Sequence, residues 1–142
     1  MSKQYTKQVK HVLELRTDGS YDIIPVRGEP SLQLLQRLTG GNSKIEFLGC
    51  WACFGETLVM LFNSDSMELR AEFNKAASAL FDKPGYDIYG PAAVITVDDD
   101  DCVFNGLDSE VIGHVINALR YMDVLGEHID GRDYRRQKGA GE

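Results

Sequence analysis

The sequence predicts a single α+β domain: a mixed or antiparallel five-stranded sheet with helices packed on it, in the order ββαββαβα, closing on a long C-terminal helix. Three observations point there. Apolar and polar residues alternate on both sides of "TDGS", the pattern of a β-hairpin. The unbroken run "LVMLF" at residues 58–62 marks a central strand buried on both faces. Val111, Val115, Ile116, Leu119 and Met122 recur at helical spacing near the C-terminus.

In order along the chain, "VKHVLELRTDGSYDIIPV" is the hairpin, with Val9, His11, Leu13 and Leu15 on one face and Lys10, Glu14 and Arg16 on the other. "EPSLQLLQRLTGG" is a short helix: Pro30 suits its first turn, Leu32, Leu35 and Leu38 form its stripe, and Gly40 and Gly41 end it. "KIEFLGCW" and "ETLVMLFN" are the next two strands. "FNKAASALFDKPG" is a helix capped by Asn74 and ended by Pro84 and Gly85. "GPAAVITV" is the fifth strand. Asp108 is placed to cap the last helix, with Leu107 and Ile112 at hydrophobic-staple positions. The domain is expected to span residues 5–130, leaving 131–142 as a mobile basic tail with nothing to bury.

Length and composition narrow the classes. A chain of 142 residues with 43% hydrophobic residues supplies one core, and 26% charged residues fit a globular protein. No apolar run reaches the ~18 residues of a membrane span, and "MSKQYTKQVK" lacks a signal-like apolar stretch, so a cytoplasmic protein is expected. Three cysteines fit a reducing compartment better than a disulfide framework. The net charge is −7, and residues 11–130 alone hold 20 acidic against 8 basic groups. An acidic body with basic ends disfavours a broad nucleic-acid face and permits a cationic partner surface.

"GCWACFGE" poses the sharpest chemical question. Cys50 and Cys53 are three apart, which in an extended strand puts their side chains on opposite faces unless the chain turns. A zinc site would need two more ligands, and Cys102 with His114 is the one tidy proposal. A redox pair would need a helix start after the first sulfur, whereas "FGETLVMLF" reads as strand. The plainer expectation is small apolar cysteines near a hairpin tip, beside Trp51 and Phe54, with no metal or cofactor.

Asp98, Asp99, Asp100 and Asp101 resemble a cation site, but a calcium loop starting at Asp99 puts Val103 and Phe104 where a ligand and a glycine are required. Four neighbouring carboxylates then belong in solvent at a strand end. "TGGNSK" runs from helix into strand, the reverse of a phosphate cradle. No histidine pair has metal spacing and no serine occupies a nucleophile elbow. His11, on the apolar strand face, is expected to be a hydrogen-bonded core histidine.

The run "LVMLFNSDSMELRAEFNKAASAL", followed by "YDIYGPAAVITVDDDD", resembles the small domain of unknown function thirty-eight forty-six, met mostly in bacteriophages, plasmids and their hosts. The likeness extends from about residue 21 to about residue 101. It rests on the apolar strand ending at Asn63, the helix start at Asn74, Lys75 and Ala76, and the approach Asp87, Ile88, Tyr89, Gly90 to the last strand. The resemblance implies a compact α+β module in mobile elements, with no established activity or catalytic residues. The Cys-Trp-Ala-Cys stretch and the long last helix are not part of it.

The expected function is a non-enzymatic binding protein of phage or mobile-element type that modulates its host. It would act by touching a host protein or by sequestering a small nucleotide-like signal. The second version requires a pocket, between subunits of a homodimer or higher oligomer, lined by some of Trp51, Phe54, Tyr86, Tyr89 and Arg120. The first requires an exposed aromatic patch without a deep pocket. The alternatives are a metal-dependent hydrolase using the aspartate run or the Cys/His set, and a nucleic-acid accessory protein using the basic termini.

Overall fold

The computed structural model describes residues 9–40, 45–53, 56–63, 71–81, 87–98 and 103–129. A first hairpin, β1 (Val9–Leu15) and β2 (Tyr21–Arg27), leads into α1 (Leu32–Leu38). A second hairpin, β3 (Ile45–Cys53) and β4 (Glu56–Asn63), is followed by α2 (Lys75–Phe81), β5 (Ala92–Asp98), β6 (Val103–Asn105) and α3 (Ser109–Tyr121). The strands pair antiparallel in the order β2-β1-β5-β4-β3, with β6 also on β5. The α+β class, the five main strands and the C-terminal helix are as the sequence predicts.

The sixth strand is a departure with a geometric cause. β1 stays beside β5 only at Leu13, Glu14 and Leu15, then diverges. β6 fills the vacated edge, pairing with Thr96, Val97 and Asp98. The next residues reach β1, where His11 and Leu107 exchange two backbone hydrogen bonds of 2.9 and 2.6 Å. Gly106 sits in the wedge: a Cβ there would lie 2.9 Å from the His11 backbone nitrogen, from Lys10 Cβ and from Val26 Cγ2. The buried Thr96 hydroxyl bonds the carbonyls of Asn105 and Gly106, both at 3.2 Å.

Side-chain alternation gives the sheet two apolar faces. One carries Leu13, Leu15, Leu58, Met60, Ala92 and Val94 under α2 and α3; the other carries Val12, Val59, Leu61, Ala93 and Ile95 under α1. The layers are therefore α1, sheet, and the pair α2 and α3. Leu58, Val59, Met60 and Leu61 are all buried, as the unbroken apolar run requires of a strand covered on both sides.

Three local expectations change. Pro30 precedes the first helix instead of entering it, because the Ser31 hydroxyl takes the N-cap and accepts from the Leu34 amide at 3.1 Å. Asp108 occupies the N-cap of α3 without a side-chain cap bond; its carboxylate lies 3.6 Å from the Lys10 ammonium. Met122 leaves the apolar stripe and is 42% exposed, since the helix has already ended at Tyr121 and Ile112 joins the buried set instead. That end is a Schellman turn: the Val124 amide bonds the Leu119 carbonyl and the Asp123 amide bonds that of Arg120, with Asp123 at φ 59°.

Candidate functional site

Asn74 organises the most distinctive surface feature. Its side chain is fully buried before α2, and its Oδ1 accepts from the Ala77 amide at 3.0 Å, the N-cap bond expected of it. Its Nδ2 donates to the Leu15 carbonyl at 3.0 Å and the Gly90 carbonyl at 2.9 Å, tying the helix start to β1 and to the approach to β5. Gly90 makes this possible at φ 82°, a conformation costly for other residues.

On either side of Asn74, backbone bonds run from its amide to Ile88 (2.8 Å) and from the Gly90 amide to Glu72 (2.7 Å). Phe73 and Tyr89 face each other across this short ladder, with rings edge to face at 5.7 Å and 69°. Phe73 is 45% exposed. An aromatic pair is thus presented to solvent on backbone that has little freedom left to lose.

Arg120 has a different setting. Its guanidinium donates to the Tyr21 hydroxyl at 2.7 Å. The buried Tyr21 ring stacks on His128 at 5.0 Å, and the His128 Nε2 is 3.5 Å from the Asp22 carboxylate. The backbone follows: Tyr21 donates to Glu127 and accepts from Ile129, so the segment after α3 covers the outer edge of β2 at that point. The arrangement is a clasp, joining α3 and the chain beyond it to the first hairpin.

Asp22 stands opposite Glu14 in the β1–β2 register. Burial pushes the Glu14 carboxyl above its usual value of 4.5, against the pull of the Arg16 guanidinium 2.9 Å away. Asp18 moves the other way, held low by hydrogen bonds from the Ser20 hydroxyl and amide across the turn. Because Glu14 holds its proton more tightly when folded, its contribution to stability is present below pH 4.5 and is lost as pH rises through its elevated value. Urea midpoints followed from about pH 3.5 to about pH 7 should therefore fall for wild type relative to Glu14→Gln as pH increases.

A cleft of about 270 Å³ lies between the first turn, the start of α2 and the Schellman turn, lined by Thr17, Asp18, Lys75, Asp123, Val124 and Leu125 among others. Of the residues expected to bind a ligand, Tyr89 and Arg120 have described side chains, and neither lines it. Tyr89 and Arg120 have different partners: one belongs to the Phe73 pair, the other to the Tyr21 clasp.

The cysteine stretch is described by its backbone. β3 bulges between Gly49 and Trp51, placing Cys50 at the irregularity, and Cys53 ends the strand opposite Glu56. Asp98 is the last residue of β5, and His114 lies on the exposed side of α3. Phe54, Tyr86, Asp99, Asp100, Asp101, Cys102 and the tail 131–142 lie outside the described residues. Among the described residues, no group of three or more His, Cys, Asp or Glu side chains is placed to hold a metal ion, and no helix is long and apolar enough to cross a membrane.

His11 differs from expectation: its Nδ1 is buried without a hydrogen-bond partner, while its backbone bonds Leu107. Phe73 was not singled out by sequence, since an apolar residue before an N-cap usually staples inward. Tyr21 and His128 could not be paired by spacing, as they meet only through the tertiary fold. Comparison of the chain with family models, with curated proteins and with solved structures returned no match.

Proposed function

We propose that the protein is a non-enzymatic binding protein that works by contact with another protein, with the Phe73–Tyr89 pair as its anchor. The observation that carries this reading is the exposure of Phe73 on a mount fixed by Asn74. Aromatic anchors dominate protein interfaces, and pre-ordering them reduces the entropy lost on docking. The alternative in which a nucleotide-like signal is sequestered has no observation among the described residues to carry it: the cleft they form is about 270 Å³, and none of its described lining residues is aromatic.

The resemblance to a phage and plasmid domain supports placing this contact in a mobile-element setting, where the partner is a host protein whose activity the docking modulates. An acidic body favours a partner face with basic residues around an apolar socket. Affinity capture from the natural host, quantified for wild type and Phe73→Ala side by side, tests the reading. Truncating a docking anchor costs about 2 kcal/mol or more, so the captured partner should fall at least ~30-fold with the fold unchanged. Equal capture by both proteins would remove the aromatic pair from the interface.

A further inference from the structure

The segment after α3 forms a strap. Past the Schellman turn, Val124 and Leu125 pack against the core and the Gly126 amide bonds the Gly19 carbonyl at 2.6 Å, which fixes the base. Beyond that point the chain runs alongside the start of β2. There the Tyr21 amide donates to the Glu127 carbonyl at 3.0 Å, and the Ile129 amide donates to the Tyr21 carbonyl at 2.8 Å. Glu127 and His128 are exposed and Ile129 is half-buried, so this stretch buries little apolar surface of its own. A segment held by a few backbone bonds and little burial opens locally at far smaller cost than unfolding the domain. One side chain then weighs heavily in its balance.

We propose that residues 127–129 are a pH-sensitive strap, closed over Tyr21 when His128 is protonated and released more often when it is neutral. The imidazole touches β2 in two ways. Its ring stacks on Tyr21 at 5.0 Å and 13°, and its Nε2 lies 3.5 Å from the Asp22 carboxylate. The stack is open to either form of the ring, whereas the ionic attraction to Asp22 belongs to the charged form alone. Histidine is the side chain that changes charge between about pH 5 and pH 8. Closure is therefore favoured at the acid end of that window, and the advantage is lost as pH rises and the ring gives up its proton.

The charges around the ring set this direction. From β2, Asp22 favours the imidazolium, and Glu127 beside it in the strap does the same. From α3, Arg120 opposes it, with its guanidinium 6.0 Å from the centre of the Tyr21 ring and bonded to the phenol oxygen at 2.7 Å. From β1, Glu14 stands across from Asp22 and is paired with Arg16 at 2.9 Å. Asp22 is buried, where its field is weakly screened, whereas Arg120 is exposed to solvent, so the attraction prevails. Opening uncovers the buried Tyr21 ring together with the amide and carbonyl at which β2 begins. The device is independent of the Phe73–Tyr89 anchor, which lies on other elements of the chain.

Hydrogen exchange of the full chain tests the strap, read as protection factors so that the intrinsic pH dependence of exchange cancels. Between about pH 5.5 and about pH 7.5, protection of the Tyr21 and Ile129 amides should fall about 3-fold, the worth of one partly exposed ion pair. His128→Gln should abolish this fall, because the variant has no charge to lose. The Glu14 carboxyl is present in both proteins, so its own effect on stability cancels in the comparison. Asp22→Asn should abolish the fall as well, while keeping an oxygen to accept from the Ile23 amide. A fall of equal size in His128→Gln overturns the proposal, as does wild-type protection that stays level or rises with pH. Should Asp22→Asn fail to fold, the comparison with His128→Gln, a change at an exposed position, decides alone.

Discussion

Asn74→Ala should lower the stability of this protein by about 3 to 5 kcal/mol, read as a shift of the urea midpoint. The substitution removes a cap bond to Ala77 and leaves the carbonyls of Leu15 and Gly90 facing an apolar methyl in a fully buried site. Each buried polar group stripped of its partner costs about 1–3 kcal/mol, and the loss of a cap about 1 kcal/mol. Domains of this size are stable by about 5–15 kcal/mol in total, so the variant should approach unfolding at room temperature. Asn74→Asp separates capping from bridging. It keeps the acceptor for Ala77 but replaces the amide donor with an oxygen facing two carbonyls, so it should recover little of the loss. Full recovery by aspartate would show that the cap alone matters and that the link to β1 and β5 is incidental.

Gly106→Ala should cost about 2 to 3 kcal/mol, the upper part of the range for overpacking. The reason is proximity and not backbone conformation. The added methyl carbon would sit 2.9 Å from three atoms, one of them the His11 backbone nitrogen, which cannot move without breaking its bond to Leu107. The damage should be local in kind. Amides of His11 and Leu107 should exchange faster in the variant, while those of β4 and β5 keep their rank. Uniform acceleration across the sheet, or no change in the urea midpoint, would mean that the wedge between β1 and β5 is looser than these distances imply.

The parts of this fold written in local periodicity were readable, and those that depend on distant pairings were not. The run at residues 58–62 forecast a strand covered on both faces, and Leu58 through Leu61 are buried as it required. The stripe on α3 was legible for the same reason, because five of its residues repeat on one face. β6 has three residues, too few to show a period, and exists because β1 leaves half of an edge of β5 vacant. The Tyr21–His128 stack joins positions with no local relation, so no spacing could announce it.

The candidate site divides along the same line. Asn74 was legible as a cap because capping is a local bond, yet its two bonds to Leu15 and Gly90 depend on how three elements converge. Tyr89 was selected as a binding residue by its type; Phe73, the ring it packs against, was hidden because exposure before an N-cap is a tertiary outcome. Arg120 was selected as a ligand contact, and within the fold its guanidinium engages the Tyr21 hydroxyl. An arginine near a helix end carries no local sign of whether it faces a ligand or the protein's own phenol.

Docking through a fixed aromatic pair is the mode of action proposed for this molecule. Native mass spectrometry of the protein recovered from its own host tests it most directly. A complex with a second protein, lost in the Phe73→Ala variant, is the expected result, with no stoichiometric small molecule on the chain. A nucleotide-sized mass retained by wild type and by Phe73→Ala alike, without a protein partner, would contradict it.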